Sequence, residues 1–351
     1  MLRYIGKKIL YGLLVMVGVV SIIFFLFNVL PVNSARMTMG QRADVATLEA
    51  IEKELGLNKP VWVRFGSYLM DISPMAIHED NPEAEEKYGY QKLIPLGANA
   101  LVVKWPYLGR SFQNRRLVTE ILMEKLPPTF ILASSSIILA FLLGIGFGIV
   151  AAIRRNTWLD DAILTISNLG ISQPSYFTAL IIAAIFSVYI FPSLGIELIG
   201  PLFDTDLYGD DIINWKNLIL PTLALGLRPV AIITQLTRSS MLDELSQDYV
   251  RTAKAKGVSF RKIIGRHTLR NAMNPILTSV SGWYAALLAG SVFVEETFNY
   301  DGLGYTTVRS ILNFDLPVAM GCVLIMSVVF VLINILVDVL YGFFDPRISY
   351  K

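Results

Sequence analysis

Charge is what this chain has least of. Asp, Glu, Lys and Arg make up 17% of its 351 residues, while 54% are hydrophobic and the mean hydropathy is +0.55. Soluble domains carry about 25% charged residues, so the shortage argues for a polytopic membrane protein. The chain has one cysteine, Cys322, and two histidines, His78 and His267. That rules out an internal disulfide and leaves no zinc-binding set. There is no GxxxxGKS or GxxxxGKT phosphate loop, so no ATPase is expected in the chain itself. Neither a Ser–His pair nor paired aspartates fall within the apolar stretches, which removes an intramembrane protease. No repeat of 20–50 residues is visible.

What remains is six charge-poor stretches: Ile9–Leu30, Phe130–Ile153, about Tyr176–Leu194, Leu218–Thr237, Pro275–Val294 and Leu316–Val337. Each is close to the roughly 20 residues a helix needs to cross the hydrocarbon core. The expected fold is all-α, with six transmembrane helices and an outward-facing helical or irregular domain between the first two. The first stretch follows Arg3, Lys7 and Lys8 and is longer than a signal-peptide core. No small-x-small cleavage site follows Leu30, so a retained helix is expected. With the N-terminus inside, the cytoplasmic segments hold 15 Lys/Arg, and the two short outer loops hold only Lys216 and Arg309. Such a bias places both termini in the cytoplasm.

Between Leu30 and about Thr119 lies the hydrophilic outer segment. Val45 to Leu55 reads as an amphipathic helix stopped by Gly56, and Pro60 to Met70 as a second helix carrying Trp62, Phe65 and Tyr68. Ser172, Gln173 and Pro174 interrupt the run leading into the third span. Gly144 and Gly148 form a small-xxx-small pair that lets helices approach closely.

Residues Asp248 to Pro275, DYVRTAKAKGVSFRKIIGRHTLRNAMNP, are basic and amphipathic. Eight Lys/Arg fall between Arg238 and Arg270. Ser246 is expected to cap a helix over Gln247 to Lys256, and Gly257 to end it in the left-handed conformation. Ser259 is expected to cap a second helix, Phe260 to Ala272, with Pro275 opening the next span. Two helices around a glycine corner make a compact knob; a loop made basic only by membrane orientation is the simpler alternative.

This RTAKAKG…RHTLRNA…P pattern resembles the cytoplasmic EAA loop of permease subunits in ABC importers, in the form of the oligopeptide, dipeptide and nickel group. Arg251, Thr252 and Ala253 stand where the general signature has Glu-Ala-Ala, as in that group. LGLNKPVWVRFGSYL, YLGRSF at Tyr107–Phe112 and EETFNYDGLGYTTVRSILNFDLP at Glu295–Pro317 resemble the same family, the last with Gly302, Leu303 and Gly304 as a turn before the final helix. So does the ending with Asn334, Val337, Asp338, Tyr341, Asp345, Pro346 and Arg347. The likeness covers about 1–70 and 107–351. Residues 72–104, with Pro74, Pro82, Pro95 and the acids Glu83, Glu85 and Glu86, resemble an insertion: a mobile surface loop, or a contact for a docking protein.

The resemblance implies one permease subunit of a type I ABC importer for oligopeptides or dipeptides in a bacterial cytoplasmic (inner) membrane. Nickel or another small solute is the alternative within the family; an ATP-independent secondary transporter or a membrane scaffold lies outside it. The implied partners are a second related permease, two ATPase subunits and an extracytoplasmic solute-binding protein, with peptide as substrate and no nucleic acid. ATP and Mg belong to partner subunits, and no cofactor is implied for this chain. Arg251, Thr252, Ala253, Lys254, Ala255, Lys256 and Gly257 are the implied ATPase-coupling residues, Ala253 and Ala255 letting the partner approach. The implied organisation is a helix at 1–30, an extracytoplasmic domain at 31–118, a permease domain at 119–345 with its coupling loop at 238–274, and a tail at 346–351.

Two charges inside spans complete the candidates. Arg228, followed by Pro229, sits mid-span, where a cation costs at least ~2.5 kcal/mol unless it faces protein or water. It either grips a peptide's terminal carboxylate or forms a fixed ion pair. Asp338 lies about 10 Å from the membrane boundary by helix rise, and serves either helix pairing or transport.

Overall fold

The computed structural model describes residues 2–29, 59–195, 197–205 and 208–344. The expected helix at Val45–Leu55 and the motif Asp345–Arg347 lie outside the described residues. The chain divides into two compact units. One takes Met1–Leu10, Leu126–Tyr305 and Val328–Lys351; the other takes Tyr11–Lys125 and Thr306–Ser327.

In the second unit, α1 (Leu2–Val29) is followed by α2 (Val61–Ile72), close to the expected Pro60–Met70 helix. Residues 72–104 then depart from the expected irregular loop. They form β1 (Met75–Glu79), α3 (Pro82–Tyr88), β2 (Gln91–Leu96) and β3 (Asn99–Val103), an antiparallel sheet in the order β1-β3-β2. The reason is local. Asn81 caps α3 by accepting from the Ala84 N–H at 2.7 Å, and Pro82 fills the first helical position where no donor is needed. Gly97 (φ 75) opens a two-residue hairpin turn between β2 and β3. Ala100, Val102 and Tyr90 are buried against Ala84 and Tyr88, a small core of its own.

The first unit holds α4 (Val118–Ile153), α5 (Trp158–Ser172) and α6 (Ser175–Ile185), the last continued by a π turn and a final turn at Phe191–Leu194. α5 and the helix at Ser175–Ile190 are bent by 107° at the expected break. Gln173 and Pro174 are extended there, and Pro174 offers no N–H to continue the helix. After a short hairpin, β4 (Phe203–Thr205) and β5 (Asp211–Ile213), come α7 (Ile219–Leu245) and α8 (Asp248–Ala255). Then follow α9 (Leu269–Gly290) and α10 (Val292–Thr297), while α11 (Leu303–Leu312) and α12 (Leu316–Phe344) have residues in both units. The fold is therefore mostly helical but not all-α, since two small antiparallel sheets are present.

Among the described residues four helices are long and apolar enough to cross a membrane, or five when the bent pair counts as one span. The stretch expected as Pro275–Val294 is helical, but α9 also carries Arg270, Asn271 and Asn274, and it stops at Gly290. Its entry differs from expectation too. The helix from Phe260 does not end at Ala272; it runs through a π turn, Ile263–Thr268, into α9, with Pro275 inside. Nor does Gly302–Gly304 lead straight into the last helix, because α11 lies between.

α7 is the hub of this unit, packed by α5, α6 and α9. α4 meets it at glycines: a Cβ on Gly144 would stand 2.7 Å from the Ile233 side chain, and one on Gly148 would collide with Thr237. The small-xxx-small pair is thus a real close approach. Leu132, Leu220, Ile233, Met241, Ile276, Phe298 and Tyr300 fill the core.

Candidate functional site

The basic knob begins where α7 ends. Ser246 does not cap α8 as expected; it closes α7, its Oγ donating to the Asp243 carbonyl at 2.7 Å. Gln247 holds the N-cap position of α8 in extended backbone. At the other end Gly257 has φ 75, its N–H donates to the Lys254 carbonyl, and the Val258 N–H donates to the Ala253 carbonyl. These two bonds are a Schellman motif, with Val258 and Ala253 making its hydrophobic contact. Ser259 stands at the next N-cap, though its side chain makes no capping bond.

The knob has its own core of Val250, Ala253 and Ile263, with Leu245 and Val258 against it. Ala253 therefore faces the knob's interior, unlike Ala255, which is exposed. Residue spacing explains this: positions 250 and 253 lie on one helix face. The outward face holds Arg251, Thr252, Lys254, Ala255 and Lys256, all exposed, with Gly257 at the corner. The Arg251–Asp248 pair at 3.6 Å is fully solvated and contributes little. Tyr249 ties the knob to its neighbours: its hydroxyl donates to Glu244 Oε2 at 2.5 Å and accepts from Asn271 Nδ2 at 3.0 Å.

Ten residues upstream, Arg238 on α7 grips Asp160 on α5 with two bonds, Nε to Oδ1 at 2.6 Å and NH2 to Oδ2 at 2.7 Å. The Asp160 side chain is 2% exposed, and its Oδ2 also accepts the Asn156 N–H. Sequence reading missed this pair because its members lie 78 positions apart.

Arg228 is exposed on α7, with its guanidinium carbon 5.7 Å from the centre of the Trp283 ring on α9. Among the described residues no carboxylate pairs with it. Elsewhere α4 meets these helices through hydroxyls: Ser134 and Tyr284 of α9 are 2.9 Å apart, and Ser135 and Thr222 of α7 are 2.7 Å apart. Asp338 lies in α12, but its side chain is outside the described residues.

Glu295 was also missed. It is wholly buried, and its carboxylate accepts from Thr129, Ser291 and the N–H groups of Gly304 and Tyr305 at the start of α11. A Cβ on Gly304 would stand 2.5 Å from the Val292 Cα and 3.0 Å from Oε2, so only glycine leaves room. Burial pushes its pKa up to about 7, although the four donors favour the anion. The Glu before a Gly-Leu-Gly turn was the available signal; Thr129, 166 positions away, was not.

Residues 144–350 match the family described as binding-protein-dependent transport system inner membrane component. The chain belongs to this family. It is a permease subunit of an ABC importer, and residues 1–86 match the N-terminal component of the same family. The glutathione transport system permease protein GsiC of Escherichia coli (strain K12) is 34% identical over 354 residues, with both chains fully covered. GsiC of Salmonella choleraesuis (strain SC-B67) is 35% identical with the same coverage. The inward-facing MetNI methionine ABC transporter matches in fold with a TM-score of 0.50 at 14% identity, covering 63% of this chain and 95% of that one.

Proposed function

We propose that this permease moves short peptides across the membrane, driven by ATP hydrolysis on partner ATPases that hold the knob at 248–257. In this reading the chain spans the bilayer six times and both termini are cytoplasmic. It pairs with a second permease and receives substrate from a solute-binding protein outside. Arg251, Thr252, Lys254, Ala255 and Lys256 contact the ATPase, while Ala253 and Gly257 fix the shape of the contact. Closure of the ATPase pair drags the knob, and the rigid connection through Tyr249 and the Arg238–Asp160 pair passes the displacement to α7, α5 and α9.

The observation that carries the substrate reading is Arg228. It is a guanidinium on a helix long and apolar enough to span the membrane, beside a Trp ring and with no carboxylate partner among the described residues. A guanidinium keeps its charge at any physiological pH, so the site stays attractive to a carboxylate, which it can hold at two points. Glutathione, the solute named for the relatives' transport system, is a short peptide with free carboxylates and supports the same class. Arg228→Lys is expected to lower uptake of free-acid peptides about tenfold more than of their C-terminal amides, a difference of ~1.4 kcal/mol. Equal losses for both, with poorer assembly, would make Arg228 a structural cation instead. In the same liposomes Gly257→Val, which strains the corner by roughly 1–2 kcal/mol, and Ala255→Glu are expected to keep basal ATP hydrolysis and lose coupled uptake. Normal coupling in both variants removes the knob from the mechanism.

A further inference from the structure

α2 is apolar on two faces. At 3.6 residues per turn, Val61, Phe65, Tyr68 and Ile72 share one face, and Trp62, Val63, Gly66 and Met70 share another. The polar side chains Arg64, Ser67 and Asp71, spaced by three and four, fall in one stripe beside them. The first face is occupied. Phe65 and Tyr68 lie 5.1 and 5.6 Å from Phe24 by ring centres, and Phe65 lies 5.3 Å from Phe25. The second face is largely exposed, Trp62 by 73% and Val63 and Met70 each by 50%.

The place of this helix decides what covers the bare face. Phe24 and Phe25 stand in the last turn of the apolar span Gly6–Phe27 on α1. A helix resting on them lies where hydrocarbon gives way to lipid headgroups. Trp62 reaches back to Phe25, their ring centres 5.3 Å apart. Ile22 and Leu26, on either side of Phe25 in α1, are themselves exposed, so bare apolar surface runs from the span onto α2. An apolar face with a tryptophan at its edge and a single polar stripe is the pattern of a helix lying in the membrane surface.

We propose that the Trp62–Val63–Met70 face of α2 is a lipid-binding surface. It lies on the bilayer at the end of the first span, with Ser67, the exposed member of the polar stripe, turned to water. This requires α1 to span the membrane and is independent of the substrate reading, so the two fail separately. The test places single nitroxide labels at Trp62→Cys, Val63→Cys, Met70→Cys and Ser67→Cys in a Cys322→Ser background. The full chain, with its co-purifying subunits, is placed in phosphatidylcholine–phosphatidylglycerol nanodiscs. Collision with oxygen, which enters hydrocarbon, is compared with collision with a water-soluble nickel chelate. The labels at 62, 63 and 70 are expected to favour oxygen by severalfold, and the label at 67 to favour the chelate. Chelate access at 62, 63 and 70 would show a face in water, and access to neither agent a face covered by protein; both overturn the proposal. Val63→Cys, the mildest change, decides the matter where another variant fails to assemble.

Discussion

Single residues carry unequal weight here, and Glu295 is the heaviest that lies outside the knob. Its carboxyl holds its proton more tightly in the folded chain than in the unfolded one, where the pKa is about 4.3. From there up to about pH 7 the unfolded chain ionises while the folded one stays protonated, so stability falls as pH rises. Above that both forms are ionised and the effect levels off. Thermal unfolding of the assembled complex is expected to weaken from pH 5 to pH 7.5, and Glu295→Gln is expected to flatten this component. An unchanged slope in the variant would assign the pH dependence to other groups. At this scale the sequence was readable wherever a residue acts on its neighbours. Gly257 announces a left-handed corner because the chain around it is helical on both sides. Ser246 misled because a serine between two helices can close one or open the next, and only the position of Gln247 settles which.

At the scale of elements, legibility followed periodicity. The aromatic spacing of Trp62, Phe65 and Tyr68 gave α2, and Pro174 gave the break between α5 and α6. The sheet at 75–103 was hidden because its strands are short, and three prolines with an acidic run dominate the composition. Yet Pro82 starts a helix, and Gly97 turns a hairpin. The pairing of α5 with α7 was hidden for another reason, since Asp160 and Arg238 meet only in three dimensions. Breaking such a pair leaves a charge stranded in the packing, at a cost of about 3 kcal/mol. Asp160→Asn and Arg238→Gln are each expected to lower the unfolding midpoint clearly, and the double variant by less than the sum of the two. Full additivity in that cycle would mean that the two side chains do not support one another.

For the whole molecule, family membership was legible in the sequence, and the proposed sidedness rests on the 15-to-2 distribution of Lys and Arg. A reporter fused after Thr157 or after Gln247 is expected to read cytoplasm, and one inserted near Asn81 to read the outside. An outward signal from the fusion at 247 would move the knob away from any ATPase. The knob also has a consequence for how such transporters diversify. Val250, Ala253 and Ile263 hold its shape from within, and the Schellman bonds close it without help from another subunit. Its outward side chains are therefore free to be exchanged without refolding the permease. Under the proposed coupling role, a change of ATPase would then call for new side chains on one small surface and leave the rest of the permease as it is.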